Sequence, residues 1–344
     1  MTDEIRIARE EDAKEWDTIV SNSPHGTLFH QWNWLKITEK YTQTKLYPLI
    51  GMKKGAVTGV FPIFFQKIGS IRMVFSPPPH AALFYLGPVM AAYDTSKQEK
   101  RENNYLDFQK SVDAFIRKEL KAQYIRISLS PALLDARPFS WSGYSVELNF
   151  DYCVDMSNSY AHLLERLDKK QRQNLNRAKK RGIVIEMGGK REYEKILSLM
   201  DIRYEQQGKN VLESKAYFSE IYDNFQDNLK IFVARVDGEV ITGSIDHQYR
   251  DTHYSWIGNP KPIKPIAPSP NDLLICESIR IAQEQGLRYY ITMSAAGDKR
   301  LHSYYASKFD PSLKVYFSVK QNTMLSGLVE KGYTSLLKPF LYRT

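Results

Sequence analysis

Two segments of the chain repeat in the same order, and this repeat constrains the fold more than any other feature. Residues 46–59, LYPLIGMKKGAVTG, align with residues 229–243, LKIFVARVDGEVITG, with one inserted residue. Both have the pattern of a β-hairpin with a glycine in the turn. Residues 123–130, QYIRISLS, and residues 287–294, LRYYITMS, each read as a strand that follows an amphipathic helix. The shared order favours a duplicated α/β unit, and two unrelated α/β domains are the alternative.

The length and composition of the chain agree with two domains. The chain has 344 residues, and 42% of them are hydrophobic, which is enough for two cores. We place the boundary within 144–151, so that the first domain covers 1–147 and the second covers 148–322. Residues 323–344 have the pattern of a basic amphipathic helix. We expect this helix to dock on the first domain, and contact with an anionic membrane is the alternative.

One segment concentrates positive charge in a chain whose net charge is +9. Residues 168–182, DKKQRQNLNRAKKRG, include seven Lys or Arg and one acidic residue. A mostly apolar set recurs at spacings of three and four, which predicts one helix with a buried stripe, ended by Gly182. Its members are Leu164, Leu167, Gln171, Leu175 and Ala178. A phosphate-rich partner would relieve the repulsion between these charges, and a solvated helix face is the alternative. The candidate anion-binding or tRNA-binding residues are Lys169, Lys170, Arg172, Arg177 and Lys180.

Missing motifs exclude several kinds of site. The sequence has no Gly-rich nucleotide fingerprint, no G-x-S-x-G elbow and no histidine spacing typical of a metal site. Cys153 and Cys276 form no C-x-x-C pair, and we expect both to be buried thiols. We therefore predict no metal and no bound cofactor. The charged N-terminus, MTDEIRIAREEDAKEW, is unlike a secretory signal and favours a cytoplasmic location, with a peripheral position at the inner membrane face as the alternative.

The basic segment also carries a resemblance to a known family. Lys170, Arg172, Ala178 and Gly182 fit K-x-R-x₅-A-x₃-G, which resembles the helix that opens the second half of FemABX-type transferases. Further segments resemble that family in the same order, namely 27–36, 57–79, 202–221, 271–294 and 304–319. The family and the related FemAB-like acyltransferases are built from GNAT-like domains. The resemblance implies an α/β (α+β) fold with two tandem GNAT-like domains, each a mixed twisted sheet flanked by helices.

The resemblance implies transfer of an aminoacyl or acyl group to an amine, as in peptidoglycan bridge formation. The co-substrate would be aminoacyl-tRNA or acyl-CoA. The acceptor would be a phosphate-bearing precursor of the cell envelope, either nucleotide-linked or lipid-linked. One alternative is a CoA-dependent N-acyltransferase, and another is a non-catalytic protein that binds RNA or another polyanion. The implied partners are therefore this acceptor and tRNA, with peripheral contact to an anionic membrane as a further expectation.

The resemblance also assigns roles to three basic residues. Lys308 matches the family lysine that faces the acceptor end of the donor, where it would stabilise a carbonyl oxygen or a phosphate. Arg203 would bind the diphosphate of the acceptor, and Lys36 would be the matching contact from the first domain. Without the resemblance, each of the three reads as an ordinary surface residue. The Tyr-Asp pair of the family is Ile291-Thr292 here, so this strand offers no acid.

The candidate proton acceptor lies on the second strand of the later hairpin. Asp246 and His247 are adjacent there, so only one of them can face a cleft, and we take Asp246 as the candidate catalytic residue. A satisfied or exposed polar group is the alternative interpretation. Tyr254 and Trp256 alternate onto one face of the next strand, where they would stack on a sugar or a base of the substrate. Core packing is the alternative for both aromatic residues.

Overall fold

The computed structural model describes residues 3–93, 95–208, 213–258, 260, 262–263, 266–293 and 308–322. The chain divides into two compact units. Within the described residues, unit 1 contains 3–149 and 315–322, and unit 2 contains 150–314. Residues 315–322 therefore pack in unit 1, although the predicted second domain includes them. The predicted C-terminal helix, 323–344, lies outside the described residues.

Unit 1 is built on a mixed sheet. Its elements are β1 (Glu4–Ile7), α1 (Ala13–Asn22), α2 (Trp32–Tyr41), β2 (Lys45–Lys53), β3 (Ala56–Ile68), β4 (Ile71–Ser76), β5 (Val89–Met90), α3 (Gln98–Lys118), β6 (Tyr124–Ser128), α4 (Arg137–Trp141) and most of β13 (Ser312–Asn322). The strand order is β1-β2-β3-β4-β6-β13, with β5 paired to β3. The β4–β6 pair is parallel, and the other pairs with a defined register are antiparallel. Helix α3 buries Phe108, Val112 and Ile116 in the core of this unit.

Unit 2 has a second mixed sheet. Its elements are most of β7 (Ser145–Asp155), then α5 (Tyr160–Glu165), α6 (Lys169–Lys180), β8 (Val184–Gly188), α7 (Lys190–Gln206), α8 (Lys215–Phe225), β9 (Leu229–Val236), β10 (Glu239–Tyr249), β11 (Thr252–Gly258), α9 (Asn271–Glu284) and β12 (Tyr289–Thr292). The strand order is β8-β9-β10-β11-β12-β7. The β11–β12 pair is parallel, and the other pairs are antiparallel.

The first five strands of the two sheets, β1-β2-β3-β4-β6 and β8-β9-β10-β11-β12, have the same connectivity. In each unit, two α-helices separate the edge strand, β1 or β8, from an antiparallel hairpin, and one long helix precedes the strand that pairs in parallel. The two hairpins turn through Lys54-Gly55, with φ values of 52° and 79°, and through Asp237-Gly238, with φ values of 50° and 80°. Positive φ at both central residues is typical of the two-residue turn that matches the twist of a hairpin. The predicted fold class, with a repeated mixed sheet flanked by helices, is confirmed.

The sheet of unit 2 lies between two helical layers. On one face, α5, α6 and α9 share a core with Phe232 and Tyr290 of the strands. On the other face, Ile196 of α7 reaches Gly243 of β10, and Phe218 of α8 contacts Trp256 of β11 with ring centroids 6.1 Å apart. The candidate residues of this unit can therefore be assigned to one face or the other.

Gly243 marks the closest approach between α7 and the sheet. A Cβ atom there would lie 2.5 Å from the carbonyl oxygen of Phe232 and 2.7 Å from Cδ1 of Ile196. We expect Gly243→Ala to lower the free energy of unfolding by about 1–3 kcal/mol, because added volume in a packed contact forces side chains and backbone to shift. Urea unfolding checks this value. The control is Gly189→Ala, whose Cβ would meet no atom closer than 3.9 Å, and an equal effect of both substitutions would contradict the prediction.

Candidate active site

The predicted basic helix exists, but it is shorter than expected. Helix α6 begins at Lys169, because the carboxylate of Asp168 caps it and accepts a hydrogen bond of 2.7 Å from the backbone N–H of Gln171. Gly182 follows its end with a φ of 74°, as predicted. The prediction of one continuous stripe from Leu164 was wrong, since Leu164 belongs to α5 and Leu167 lies between the two helices. The cap at Asp168 starts a new helix at that point.

The five candidate cations of α6 are exposed and are not neutralised by neighbouring acids. Within the described residues, none of them forms an ion pair with a carboxylate. Arg172 donates hydrogen bonds to the backbone carbonyl oxygens of Glu165, at 2.9 Å, and of Leu167. Arg177 donates one of 2.6 Å to the amide oxygen of Asn174. Lys169, Lys170 and Lys180 complete the exposed set. The helix therefore presents positive charge that an anionic partner could neutralise.

A pocket of about 370 Å³ lies beside this helix, among α5, α6, α9 and β8. Its walls are mainly apolar and include Leu164, Leu175, Ile183, Ile185 and Leu273. The polar lining residues are Arg172, Asn176, Lys179 and Glu277. Pockets with apolar walls and a few polar groups are typical of ligand sites. No sequence motif indicated this pocket, because its lining comes from residues 160–185 and 273–277, which lie far apart in the sequence.

Lys308 is buried next to the same helix α9. Its side chain is 4% exposed, and its Nζ lies 3.3 Å from Oδ1 of Asp272 in the first turn of α9. Burial lowers the pKa of Lys308, and the charge of Asp272 opposes this shift. The interpretation of Lys308 as an exposed loop lysine is therefore wrong. Sequence reasoning missed Asp272, because an acidic residue in the first turn of a helix is common and carries no specific signal.

Cys276 connects the ion pair to the pocket. It follows Asp272 by one helical turn, and it lines the pocket. Burial raises the pKa of the Cys276 thiol to about 12, Asp272 raises it further, and Lys308 and Lys179 oppose the shift. The thiol is therefore neutral, and as predicted it is buried. The ion pair and the pocket lie on the same side of the sheet.

Asp246 forms a fully buried pair with His253. Oδ2 of Asp246 lies 2.9 Å from Nε2 of His253, and neither side chain is exposed. Burial raises the pKa of Asp246, and His253 opposes the shift. The ring of His253 stacks on Tyr290, with centroids 5.3 Å apart, and contacts Phe232 at 6.1 Å. The pair therefore lies on the α6 and α9 face of the sheet, enclosed by aromatic side chains.

The predicted aromatic platform lies on the opposite face. Tyr254 stacks on His247, with ring centroids 4.7 Å apart, and Trp256 contacts the same histidine at 6.2 Å. Trp256 is 5% exposed and packs against Phe218 of α8. Trp256 is thus part of the core in this structure, which agrees with the alternative interpretation. The structure does not bring Tyr254 or Trp256 together with Asp246.

His247 gives the protein a predicted sensitivity to acid. Burial lowers its pKa from 6.5 to about 3, and the nearby His253 adds to this shift. At a pH between about 3 and 6.5, the unfolded chain therefore binds a proton at His247 that the folded chain does not bind. The contribution of His247 to the free energy of unfolding should fall by about 1.4 kcal/mol for each pH unit below 6.5.

The matched variant for this prediction is His247→Phe, which keeps a ring against Tyr254. Urea unfolding of both proteins between pH 7 and pH 4 measures the difference. We expect the wild-type protein to lose more stability than the variant as the pH falls. Parallel curves over this range would show that His247 is not the group responsible.

The remaining two candidates do not line the pocket. Arg203 is half-buried near the end of α7. This helix contacts Gly243, on the face of the unit 2 sheet opposite to α6 and α9. Lys36 lies on α2 in unit 1, where its Nζ is 2.9 Å from Glu39 and 3.6 Å from Glu10. The hydrogen bond to Glu39 raises the pKa of Lys36. Both substrate-binding assignments stay predictions.

The chain is similar to known proteins in part of its sequence and in its fold. The profile of the FemAB family matches residues 138–254, a segment that contains α6 and the hairpin of unit 2. Over this segment, the chain is similar to the FemAB family. A solved structure of FemX is similar over 95% of this chain and 100% of its own, with a TM-score of 0.66 and 16% sequence identity. A structure of L-PGS from Bacillus licheniformis is similar over 98% of this chain and 100% of its own, with a TM-score of 0.56 and 13% identity.

The predicted resemblance to the FemAB family is confirmed over residues 138–254. The similarity to FemX extends to the fold of 95% of the chain. No curated protein sequence matches the chain. Among the described residues, no group of three or more His, Cys, Asp or Glu side chains could hold a metal ion. No helix in the same part of the chain has both the length and the apolar character needed to cross a bilayer.

Proposed function

We propose that this FemAB-like chain transfers an aminoacyl group from a charged tRNA to an amine of a phosphate-bearing precursor of the cell envelope. The observation that carries the proposal is the FemAB family match over residues 138–254. This segment contains α6, whose exposed cations suit a phosphate-rich donor. FemX and L-PGS, the similar proteins, agree with a cell-envelope role.

The proposed reaction needs little covalent chemistry from the protein. The amine nitrogen attacks the ester carbonyl on the terminal ribose of the tRNA, a C–N bond forms, and the C–O bond to the ribose breaks. The ribose oxygen takes up a proton, and the amine loses one. The protein has to align the two substrates and stabilise the negative charge that develops on the carbonyl oxygen.

We assign to Lys308 the stabilisation of the negative charge on the carbonyl oxygen. Its ammonium group is held by Asp272 within a low-dielectric region, where a positive charge acts more strongly than in water. The cations Lys169, Lys170, Arg172, Arg177 and Lys180 are assigned to the phosphates of the donor. Arg203 and Lys36 are assigned to the phosphates of the acceptor. Asp246 is fully buried against His253, so we assign it a positioning role within the sheet instead of contact with the amine.

A donor competition tests the proposal. The immobilised protein is offered charged tRNA, uncharged tRNA and acyl-CoA at moderate salt, with Lys308→Met in parallel. We expect charged tRNA to bind more tightly than uncharged tRNA and the difference to shrink in the variant. Saturable binding of acyl-CoA, combined with indifference to the charging of the tRNA, would instead identify a CoA-dependent N-acyltransferase.

A further inference from the structure

We infer that unit 1 docks on an anionic lipid bilayer through the end of its β3–β4 hairpin and the basic strand face beside it. The hairpin tip consists of residues 66–73, and the strand face carries Arg126 of β6 and Lys320 of β13. This partner is additional to the donor and the acceptor of the proposed function. Three features of unit 1 support it, namely the reach of the hairpin, its exposed apolar residues and the absence of acidic residues from its strands.

The β3–β4 hairpin extends past the strand that lies next to it. Pairing of β3 with β2 ends at Phe65, whereas pairing with β4 continues to Ile68. The three residues beyond Phe65 add about 10 Å at the usual rise of a strand. A Cβ atom on Gly69, in the turn, would meet no atom within 4 Å beyond its chain neighbours. The hairpin tip therefore ends in open space, where it can reach an external surface.

The hairpin tip exposes apolar side chains. Ile68 is 57% exposed, and Ile71, directly opposite on the partner strand, is half-buried. Met73, opposite Gln66, continues this apolar face toward the sheet, because directly paired residues lie on the same face. Apolar side chains gain free energy when they leave water for the interfacial region of a bilayer, which is about 5–10 Å deep. The projecting length of the hairpin matches this depth.

The strands around the hairpin contain no acidic residue. The four strands β3, β4, β6 and β13 are neighbours in the sheet and include no Asp or Glu. Within the described residues, Lys67, Arg72 and Arg126 form no ion pair with a carboxylate. Lys and Arg side chains near an anionic bilayer are attracted by its surface potential. This part of unit 1 therefore has charge complementary to anionic headgroups.

The strand register places cations directly opposite each other at two positions. Lys67 is opposite Arg72 across β3 and β4, and Arg126 is opposite Lys320 across β6 and β13. Like charges directly opposite in an antiparallel pair destabilise a sheet. Anionic headgroups beside these side chains would offset the repulsion, so the register favours an anionic partner.

The pair of Arg126 and Lys320 lies on the same face of the sheet as Ile68. Met73 of the hairpin tip is opposite Tyr124, and Arg126 shares the face of Tyr124 because the two are two residues apart. The Nζ of Lys320 lies 5.7 Å from the centroid of the Tyr124 ring, in agreement with this face. One face therefore combines an apolar tip with cations, which is the pattern of surfaces that lie on anionic membranes.

The same features disfavour RNA and a second copy of the chain as the partner. Proteins that bind single-stranded RNA stack bases on aromatic side chains, and residues 66–73, QKIGSIRM, contain none. A contact between the hairpin tips of two copies would bring the same cations together. A bilayer with anionic headgroups accommodates both the isoleucines and the cations.

Vesicle sedimentation with the full chain tests this surface. The probes are vesicles of phosphatidylcholine alone and vesicles that also contain phosphatidylglycerol, and we expect the protein to bind only the second kind. Lys67→Ala combined with Arg72→Ala should weaken this binding about thirtyfold, at about fivefold for each cation near an anionic surface. Ile68→Ser should weaken it about tenfold. As the salt concentration rises, the effect of the double variant should shrink and that of Ile68→Ser should persist.

Matched controls separate the hairpin tip from net charge and general apolar exposure. Lys14→Ala combined with Lys110→Ala removes two exposed lysines of α1 and α3, with the same change in net charge. Leu134→Ser replaces a side chain of unit 1 that is 64% exposed. Both controls should bind the anionic vesicles nearly as tightly as the wild-type protein. Urea unfolding of every variant verifies that a loss of binding is not a loss of fold.

Equal binding of the wild-type protein to the two kinds of vesicle, or binding to neither, would overturn the inference. So would full vesicle affinity in both the double variant and Ile68→Ser. A double variant that loses affinity for RNA, with vesicle binding intact, would identify the hairpin tip as an RNA surface and also contradict the bilayer.

The proposed function fails or holds independently of this surface. Replacing Lys169, Lys170 and Lys180 of α6 by alanine should weaken tRNA binding and leave vesicle binding nearly unchanged, whereas the variants of the hairpin tip should do the reverse. Loss of vesicle binding in the α6 variant alone would place the membrane contact on α6 and overturn the inference. Absence of aminoacyl transfer from charged tRNA, with vesicle binding as expected, would remove only the proposed function.

Discussion

Lys308→Met is expected to reduce aminoacyl transfer by about 10²–10³-fold, the usual effect of removing one group that stabilises an oxyanion. The same change leaves Asp272 buried without the ammonium group that lies 3.3 Å away. Breaking a buried pair from one side typically costs about 3–5 kcal/mol, so the variant should also be less stable. Single-turnover transfer and urea unfolding measure the two effects on the same protein.

A double variant separates these two effects. Lys308→Met combined with Asp272→Asn removes both charges, so much of the lost stability should return, because a neutral pair leaves no uncompensated charge. The transfer rate should remain low. Recovery of the rate in the double variant would show that Lys308 supports the fold only. Lys53→Met, which breaks the partly buried ion pair with Asp107 at 2.7 Å in unit 1, should leave transfer unchanged.

Replacing Lys169, Lys170 and Lys180 together by alanine should weaken tRNA binding and reduce its dependence on salt. Each lost phosphate contact lowers the slope of log K against log salt by about 0.7–0.9, so three contacts correspond to about 2–3. The three side chains are exposed and form no ion pair within the described residues, so stability should change by no more than about 0.5 kcal/mol. Binding titrations at several salt concentrations give the slope.

The control is a second triple variant that has the same net charge as the α6 variant. Lys14, Lys110 and Lys118 are exposed lysines of unit 1, and replacing these three by alanine also removes three positive charges. If α6 is the binding surface, this control should retain most of the affinity and nearly the full salt slope. Equal losses in the two triple variants would mean that the total charge of the protein, and not α6, governs binding.

Local patterns allowed much of the fold to be predicted from the sequence. The hairpins β2–β3 and β9–β10 depend on alternating apolar residues and on a turn glycine, and both signals lie within about fifteen consecutive residues. The end of α6 depends on Gly182, which adopts the left-handed conformation that glycine favours. These features need no knowledge of distant contacts, and the repeat then predicts the second unit from the first.

The candidate site depends on contacts that local patterns do not contain. The pocket joins residues of α5 and α6 to residues of α9, more than ninety positions later, so no short motif reports it. Asp272 becomes a candidate only because folding buries it beside Lys308. The sheet separates Asp246 from Tyr254, since cross-strand pairing puts His247 opposite Tyr254 and the adjacent Asp246 on the other face. Sequence spacing alone left the face of Asp246 undecided.

The most direct measurement of the central claim follows a labelled amino acid on tRNA. A mixture of charged tRNAs is incubated with the protein and with amine-bearing precursors of the cell envelope, and the label is tracked on tRNA and on the acceptor. We predict that the label moves to the acceptor, in an amide that survives mild base, and that Lys308→Met slows this step. Label that stays on tRNA with every acceptor, while acyl-CoA serves as a donor, would contradict the account.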